Sequence, residues 1–462
     1  MRNPKNKCLT FVILFITISI FASITLFANI EKTPFHGDES GWISSGYYFT
    51  DLLLKGNFQR QKWECPQCSA WGSSLNPHLG QWAIGIYLKA IAPQEEETFF
   101  KFYDFKASLE ENEKEGKIPP RPILLHARSI SAVFGVLCVL LMFVIGYYSN
   151  NLWVGGIAAI LLLFNQLFIG LCTQAMTDVY YNFFLLCGCL AGIYLHERSR
   201  VRDILFASCA YGCLAGLASS VKITGLLIGA LHFALIILCK KITCKLEMKN
   251  AIRYLAVFSI SALVIIYLLN PYFWLSFREM NGGEIVEEVK AFYQDAKEGK
   301  IQKENIQNIR KQYPQLINLS SILEFPYMFI RWKSFMDLQQ SEFKSASWQG
   351  NRLRTFHERL FMEFSTFPLE WCFLCIGIFF YGWKTVNAFR NRQLVKSVIP
   401  FLYFMVNYVF ILVLLKLNWG RYYLPTIIAG KIIVATVICE AGTLIYAKFF
   451  IRNSSLNFLK FR

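Results

Sequence analysis

The chain has 462 residues, of which 55% are hydrophobic, 16% aromatic and only 17% charged, whereas an ordinary soluble domain carries about 25% charged residues. These figures exclude disorder, collagen-like repeats, coiled coil and a disulfide-stapled miniprotein, and leave an all-α polytopic membrane protein. A formal charge of +16 raises nucleic acid as a partner, a question decided by where the charge sits.

About ten apolar runs approach the ~20 residues that a helix needs to cross hydrocarbon. They fall near 8–29, 123–147, 152–171, 178–195, 204–221, 223–239, 254–270, 366–383, 398–416 and 424–447. The first, Cys8–Asn29, is longer than the ~7–15 apolar residues of a secretory signal core and reads as a retained span. No alternating barrel pattern occurs, so the spans are expected to be helical, with their backbone hydrogen bonds satisfied internally. Two long loops interrupt the bundle, 30–122 and 271–365, and the whole of 1–462 is expected to form a single integral membrane domain. In the first loop, Gly80–Ala92 predicts an interfacial helix and Glu95–Lys117 a solvated helix and turn. In the second, Gly283–Tyr313 is helix-like and highly charged, and a mixed aromatic stretch follows to Phe367.

With a cytoplasmic N-terminus, the segments on that side hold 19 Lys and Arg against Glu197, Asp203 and Glu247 alone. Nearly all the surplus is therefore cytoplasmic, as the positive-inside rule requires. The charge orients the chain, with both termini cytoplasmic and both long loops exocytoplasmic in a plasma (inner) membrane, and no nucleic-acid partner is expected. Twelve of the 14 Cys lie in or beside spans as small apolar fillers. Cys65 and Cys68 sit in the first loop. A local disulfide suits them better than a zinc site completed by His36 and His78, because two thiols fall short of four ligands.

Three groups of residues can carry chemistry. Asp38-Glu39 follows the first span, and two adjacent carboxylates at a membrane surface need a cation or proton to offset their repulsion. Such a pair supplies a general base and an orienting group, although a solvated turn would look the same. Asp178 opens the fourth span, where it can cap the helix or, as an acid at membrane depth, serve function. Arg128, Lys222 and Arg421 are isolated cations near the same face, suited to phosphate or to snorkelling and pairing with an acid such as Asp178. His36, His78 and Tyr422, beside these groups, are expected to line the substrate site. Trp63, Trp71 and Trp82 can stack on a sugar or anchor at the interface. Lys416, Lys431, Glu440 and His232 read as snorkelling or bundle-facing groups.

Carboxylates and cations bordering an apolar bundle suit a substrate with a greasy tail, a phosphate at headgroup level and a polar group beyond. A polyprenyl-phosphate sugar has those three parts. In order and topological side, the chain resembles the dolichyl-phosphate-mannose protein mannosyltransferase-like superfamily of GT-C fold, which includes the bacterial lipid A aminoarabinose transferases. The landmarks are Asp38-Glu39, Asn76-Pro-His-Leu-Gly-Gln-Trp82, Ala127-Arg128-Ser129, Met176-Thr-Asp178, Lys222-Ile-Thr-Gly225 and Arg421-Tyr-Tyr-Leu-Pro425. The resemblance implies that Asp38 is the catalytic acid/base, supported by Glu39 and Asp178; from their own chemistry, Arg128, Lys222 and Arg421 are expected to bind donor phosphate. Relatives often place Lys or His before a Pro-Pro pair where this chain has Asn76-Pro77-His78.

The expected function is a membrane glycosyltransferase moving a sugar from a polyprenyl-phosphate donor to an acceptor hydroxyl on the exocytoplasmic face. No resident cofactor is expected, and a divalent metal is left open. Alternatives are a transporter or flippase of a lipid-linked or anionic solute, which often shows internal repeats, and a non-catalytic scaffold, in which the charged landmarks would lie far apart.

Overall fold

A computed structural model describes residues 4–57, 62–63, 76–93, 102–273, 352–393, 395–415 and 418–446, with isolated positions 287, 290, 291 and 294. Among the described residues all regular structure is helical, which lets each span satisfy its own backbone. Cys65, Cys68, Trp71, Lys416 and most of Gly283–Tyr313 lie outside the described residues.

Helix α1 (Pro4–Asn29) is apolar all round and leaves Ile13, Ile16, Ile20 and Ile24 exposed, as a lipid-facing span does. Two helices follow in the first loop, α2 (Asp38–Leu54) and α3 (Leu79–Ile91). The second matches the predicted interfacial helix; α2 was not foreseen, because Ser and Gly punctuate its apolar pattern. They pack side by side with their backbones in close approach at Gly46 and Gly85, where a Cβ on Gly85 would collide with the Gly46 carbonyl oxygen. Of the expected solvated helix at 95–117, only α4 (Leu109–Lys114) is seen, started by a reciprocal capping box between Ser108 and Glu111.

The main bundle begins with α5 (Arg121–Ser149). The run near 152–171 is broken: α6 (Leu152–Leu163) and α7 (Gln166–Cys172) are bent by 71°, and the Asn165 side chain caps α7 by accepting from the Phe168 N–H. Then come α8 (Asp178–Glu197), α9 (Val201–Val221), α10 (Thr224–Cys244) and α11 (Met248–Leu268), followed by a short 3-10 turn at Pro271–Phe273. After the second loop, α12 (Arg352–Phe364) is strongly amphipathic and was not foreseen within its aromatic stretch. Next come α13 (Leu369–Arg390), α14 (Val398–Leu414), a 3-10 turn (Gly420–Tyr423) and α15 (Leu424–Tyr446).

All ten predicted runs are therefore helical, but they are not ten equal spans. Eight described helices are long and apolar enough to cross a membrane, nine spans if the bent α6–α7 pair counts as one, and α14 is shorter at 17 residues. Helix α5 packs on α1, α6 and α8; α9 packs on α8, α10 and α11; and α15 packs on α6, α13 and α14. The starts of α2, α8 and α10 meet the ends of α9 and α14 at one end of the bundle. The Lys- and Arg-rich connections near 198–202, 240–249 and 390–396 lie at the other.

Several polar groups inside the bundle are paired. Lys431 and Glu370 are fully buried and 2.5 Å apart, and His232 joins the Tyr211 hydroxyl to the Ile399 carbonyl. Glu440 is exposed. Overpacking a tight backbone contact costs about 1–3 kcal/mol. Gly85→Leu is accordingly expected to lower the unfolding temperature by several degrees in detergent, whereas Gly382→Leu, which has open space, should not; tryptophan fluorescence melts would check this.

Candidate active site

The first loop leaves α1 through Ile30–Gly37 and turns into α2 at Asp38. A buried ion pair holds this corner: Arg128 of α5 donates through Nε and Nη2 to the two oxygens of Glu39, at 2.8 and 2.7 Å. Its remaining donors reach the carbonyls of Ile30, Thr33 and Pro34 at 2.9, 2.8 and 3.2 Å, so all five guanidinium N–H groups are used. Glu39 also accepts from the backbone N–H of Ala175 at 2.7 Å and of His36 at 3.0 Å. Nothing is left over for a ligand. These bonds fasten α1, α2, α5 and the α7–α8 connection together.

Asp38, the residue before Glu39, faces the opposite way, into a cavity of about 570 Å³. Its carboxylate accepts from Arg421 Nη1 at 2.6 Å, and Arg421 lies 4.6 Å over the Trp419 ring and 5.6 Å over the Tyr422 ring. Across the cavity, Lys222 Nζ donates to Asp178 Oδ1 at 2.5 Å. Asp178 is the first residue of α8 and Lys222 the residue after α9, so the tight connection into α10 delivers the ammonium to the head of α8. Burial lowers the Lys222 pKa from that of an ordinary lysine; Asp178 opposes the shift and Arg421 adds to it. His36 also lines the cavity, with its Nδ1 accepting from the Asp38 N–H at 3.2 Å.

Two carboxylates and the two cations paired with them therefore face one space, whose wall also includes Leu167, Leu171, Ile228, Phe410, Ile411 and Leu415. Apolar walls strengthen every charge–charge term within. The arrangement offers a proton acceptor and paired anion-binding groups beside a surface fit for hydrocarbon.

The sequence expectations divide on this geometry. Asp38, Asp178, Lys222, Arg421, His36 and Tyr422 all line the cavity. Glu39 and Arg128 do not: they are sequestered in one another, and the catalytic and phosphate-binding roles expected of them are revised to a structural one. His78 is also corrected. Its ring is buried among Phe49, Trp63 and Trp82 at 4.3–5.8 Å, hydrogen-bonded to Gln81 rather than lining a site. Trp63 and Trp82 belong to that cluster, and among the described residues the tryptophans that line the cavity are Trp42 and Trp419.

Arg359 was missed. It projects from α12 into the cavity wall, paired with Glu363 one turn on at 2.6 Å, and its Nε has no hydrogen-bond partner among the described residues. In sequence it is one charge in an amphipathic stretch with nothing to mark it. Among the described residues no group of three or more His, Cys, Asp or Glu is placed to hold a metal.

The family model described as dolichyl-phosphate-mannose-protein mannosyltransferase matches residues 102–281. No curated protein sequence matches the chain. Among solved structures, ArnT from Cupriavidus metallidurans bound to undecaprenyl phosphate superposes with a TM-score of 0.53 at 14% identity, over 93% of this chain and 60% of that one. The archaeal oligosaccharyltransferase AglB from Archaeoglobus fulgidus, in complex with an inhibitory peptide and a dolichol-phosphate, gives 0.52 at 13% identity, over 96% and 51%. The chain thus spans roughly half to three-fifths of the length of these proteins. The likeness to the dolichyl-phosphate-mannose protein mannosyltransferase-like superfamily is borne out, and the fold is GT-C.

Removing one partner of a buried, hydrogen-bonded ion pair costs about 3–5 kcal/mol. Arg128→Gln should therefore reduce the yield of folded protein and its melting temperature, and Arg128→Lys should not rescue it, since an ammonium cannot replace a five-donor fork. A second expectation concerns pH. Burial drops the His78 pKa to about 4, whereas the unfolded ring protonates near 6.5. Between those values the unfolded state binds more protons, so stability is full above pH 6.5 and falls toward pH 4. Melting curves from pH 7 to 4.5 should show this slope, reduced in His78→Gln.

Proposed function

We propose that the chain is a membrane glycosyltransferase that moves one sugar from a polyprenyl-phosphate carrier to an acceptor hydroxyl. The observation that carries the reading is the meeting of Asp38, Asp178, Lys222 and Arg421, from four separate stretches of sequence, in one cavity with apolar walls. The two solved structures of like fold hold undecaprenyl phosphate and dolichol-phosphate, ligands of the same chemical class. A scaffold would have no need to gather these groups.

In this reading the donor phosphate lies between Lys222 and Arg421, with its prenyl chain along the apolar wall. The acceptor oxygen attacks the anomeric carbon from the face opposite the phosphate, and the bond from that carbon to the phosphate oxygen breaks. Configuration is inverted, because one displacement occurs. Asp38 takes the acceptor's proton, and the polyprenyl phosphate departs with one more negative charge than it had in the diester. Arg421 bonds Asp38 before the reaction; as charge grows on the phosphate, the guanidinium is drawn toward it and releases the carboxylate to accept the proton. Asp178 holds Lys222 in place. Arg359 supplies a further cation on the same wall, paired with Glu363 of its own helix.

The cavity is assigned to the exocytoplasmic face, because the basic connections of the bundle lie at the opposite end. Both termini are then cytoplasmic, and the second loop, which leads into α12 and Arg359, is placed to present the acceptor.

The test is incubation of the purified full chain with a panel of polyprenyl-phosphate sugars, scoring free polyprenyl phosphate. At least one donor should be consumed in the presence of an acceptor. Asp38→Asn should lower turnover by about 10²–10⁴-fold, the usual worth of a general base, while the protein stays folded in detergent. Arg359→Gln should reduce kcat more than it raises KM. Near-normal turnover by Asp38→Asn would remove that residue from the mechanism.

A further inference from the structure

We infer that Phe105 and His36 form the acceptor subsite, a platform on which a sugar ring of the acceptor stacks while one of its hydroxyls meets Asp38; this deepens the proposed function and rests on it. Both residues line the cavity, and among the described residues Phe105 is the one aromatic side chain of that lining that stands open, at 56% exposure. A single exposed apolar side chain is ordinary on a protein surface; this one is held in place by the build of its loop. Asn112 of α4 is fully buried. Its Oδ1 accepts from the Asp104 N–H at 2.8 Å, and its Nδ2 donates to the carbonyls of Asp104 and Ser108 at 3.0 and 2.8 Å. The Asp104 carboxylate accepts from the Lys106 N–H at 2.9 Å, so the backbone is bonded on both sides of the ring.

The loop is seated on the corner that bears Asp38. The Tyr103 N–H donates to Ser40 Oγ at 3.3 Å, and the Tyr103 ring packs on Phe35 at 5.7 Å. A Cβ on Gly37 would lie 2.4 Å from Tyr103 and 2.9 Å from Phe105, so a glycine immediately before Asp38 is what admits both rings. His36 joins the two ends of the platform: its Nδ1 is 3.8 Å from Asp38 Oδ2, and its ring meets that of Phe105 edge-on at 6.5 Å. One wall therefore runs from Asp38 through His36 to Phe105. The apolar residues Leu167, Leu171, Phe410 and Ile411 come from α7 and α14 instead.

Phe105 stands in water rather than in hydrocarbon. Asp104 and Lys106 flank it, and α4 beyond carries the exposed Glu110, Glu111, Glu113 and Glu115, charges that a membrane interior would not accept. An open ring in water, set beside a proton acceptor, suits a partner with an apolar face and a hydroxyl at its edge. A pyranose has both, because its C–H bonds gather on one face and its O–H groups at the rim. A serine or threonine side chain has the hydroxyl without the face, and a prenyl chain is apolar without the hydroxyl.

The experiment gives the purified full chain the donor that the turnover panel selects, with either short neutral oligosaccharides as methyl glycosides or a Ser/Thr-containing peptide as acceptor. The oligosaccharides should stimulate release of polyprenyl phosphate. Phe105→Ala should raise the acceptor KM about tenfold, the worth of one aromatic stacking contact, and leave the donor KM and the melting temperature unchanged. Phe105→Trp should keep the acceptor KM near that of wild type, whereas Phe105→Leu, apolar but without a flat face, should fail as the alanine variant does. An unchanged acceptor KM in Phe105→Ala, an equal rise in the donor KM, or stimulation by the peptide alone would overturn the inference. So would donor turnover that neither acceptor stimulates. A wild type that consumes no donor would instead overturn the transferase reading, and the subsite with it.

Discussion

The site depends on a buried salt bridge that takes no part in it. Arg128 and Glu39 spend every donor and acceptor on one another and on five backbone groups. In a low-dielectric interior such a pair is tolerable only when it is fully satisfied. Its effect is geometric: with Glu39 pinned inward at the first turn of α2, the neighbouring Asp38 must project the other way, into the cavity. The adjacent carboxylates thus escape mutual repulsion by serving two separate cations, Arg128 and Arg421.

The cavity repeats this pairing with a difference. Asp38–Arg421 and Asp178–Lys222 are each a contact of 2.5–2.6 Å, yet the side chains of Arg421 and Lys222 keep 22% of their surface open, against 3% for Arg128. A closed pair holds structure, and an ajar one can exchange its partner. In the proposed function both cations turn to the donor phosphate while their carboxylates remain close enough to receive a proton. Apolar walls make each such exchange worth more than it would be in water.

Much of this was legible in the sequence. The ten apolar runs are all helical, because hydrocarbon leaves the backbone no alternative, and the isolated charges at Asp178, Lys222 and Arg421 stood out against their surroundings. Three things were not legible. Helix α2, interrupted by Ser and Gly, and amphipathic α12 carry no long apolar run, so span-counting passed over them. The partition of Asp38 and Glu39 between cavity and core follows from one residue's difference in helical phase, which no local pattern reveals. Arg128 and Arg421 look alike as solitary arginines, and only the carbonyls gathered around Arg128 show that it is used up.

The attachment of the second loop has a bearing on how such a protein can diversify. Before it, Phe273 is buried with Phe49, Trp63 and Trp82. After it, Arg352 donates to the carbonyls of Ile411 and Leu415, and Phe364 closes α12 with its carbonyl held by both Lys431 and Asn165. Entry and exit are thus anchored on the bundle. A segment inserted between such fixed ends is one that evolution could exchange while the cavity beneath stays as it is.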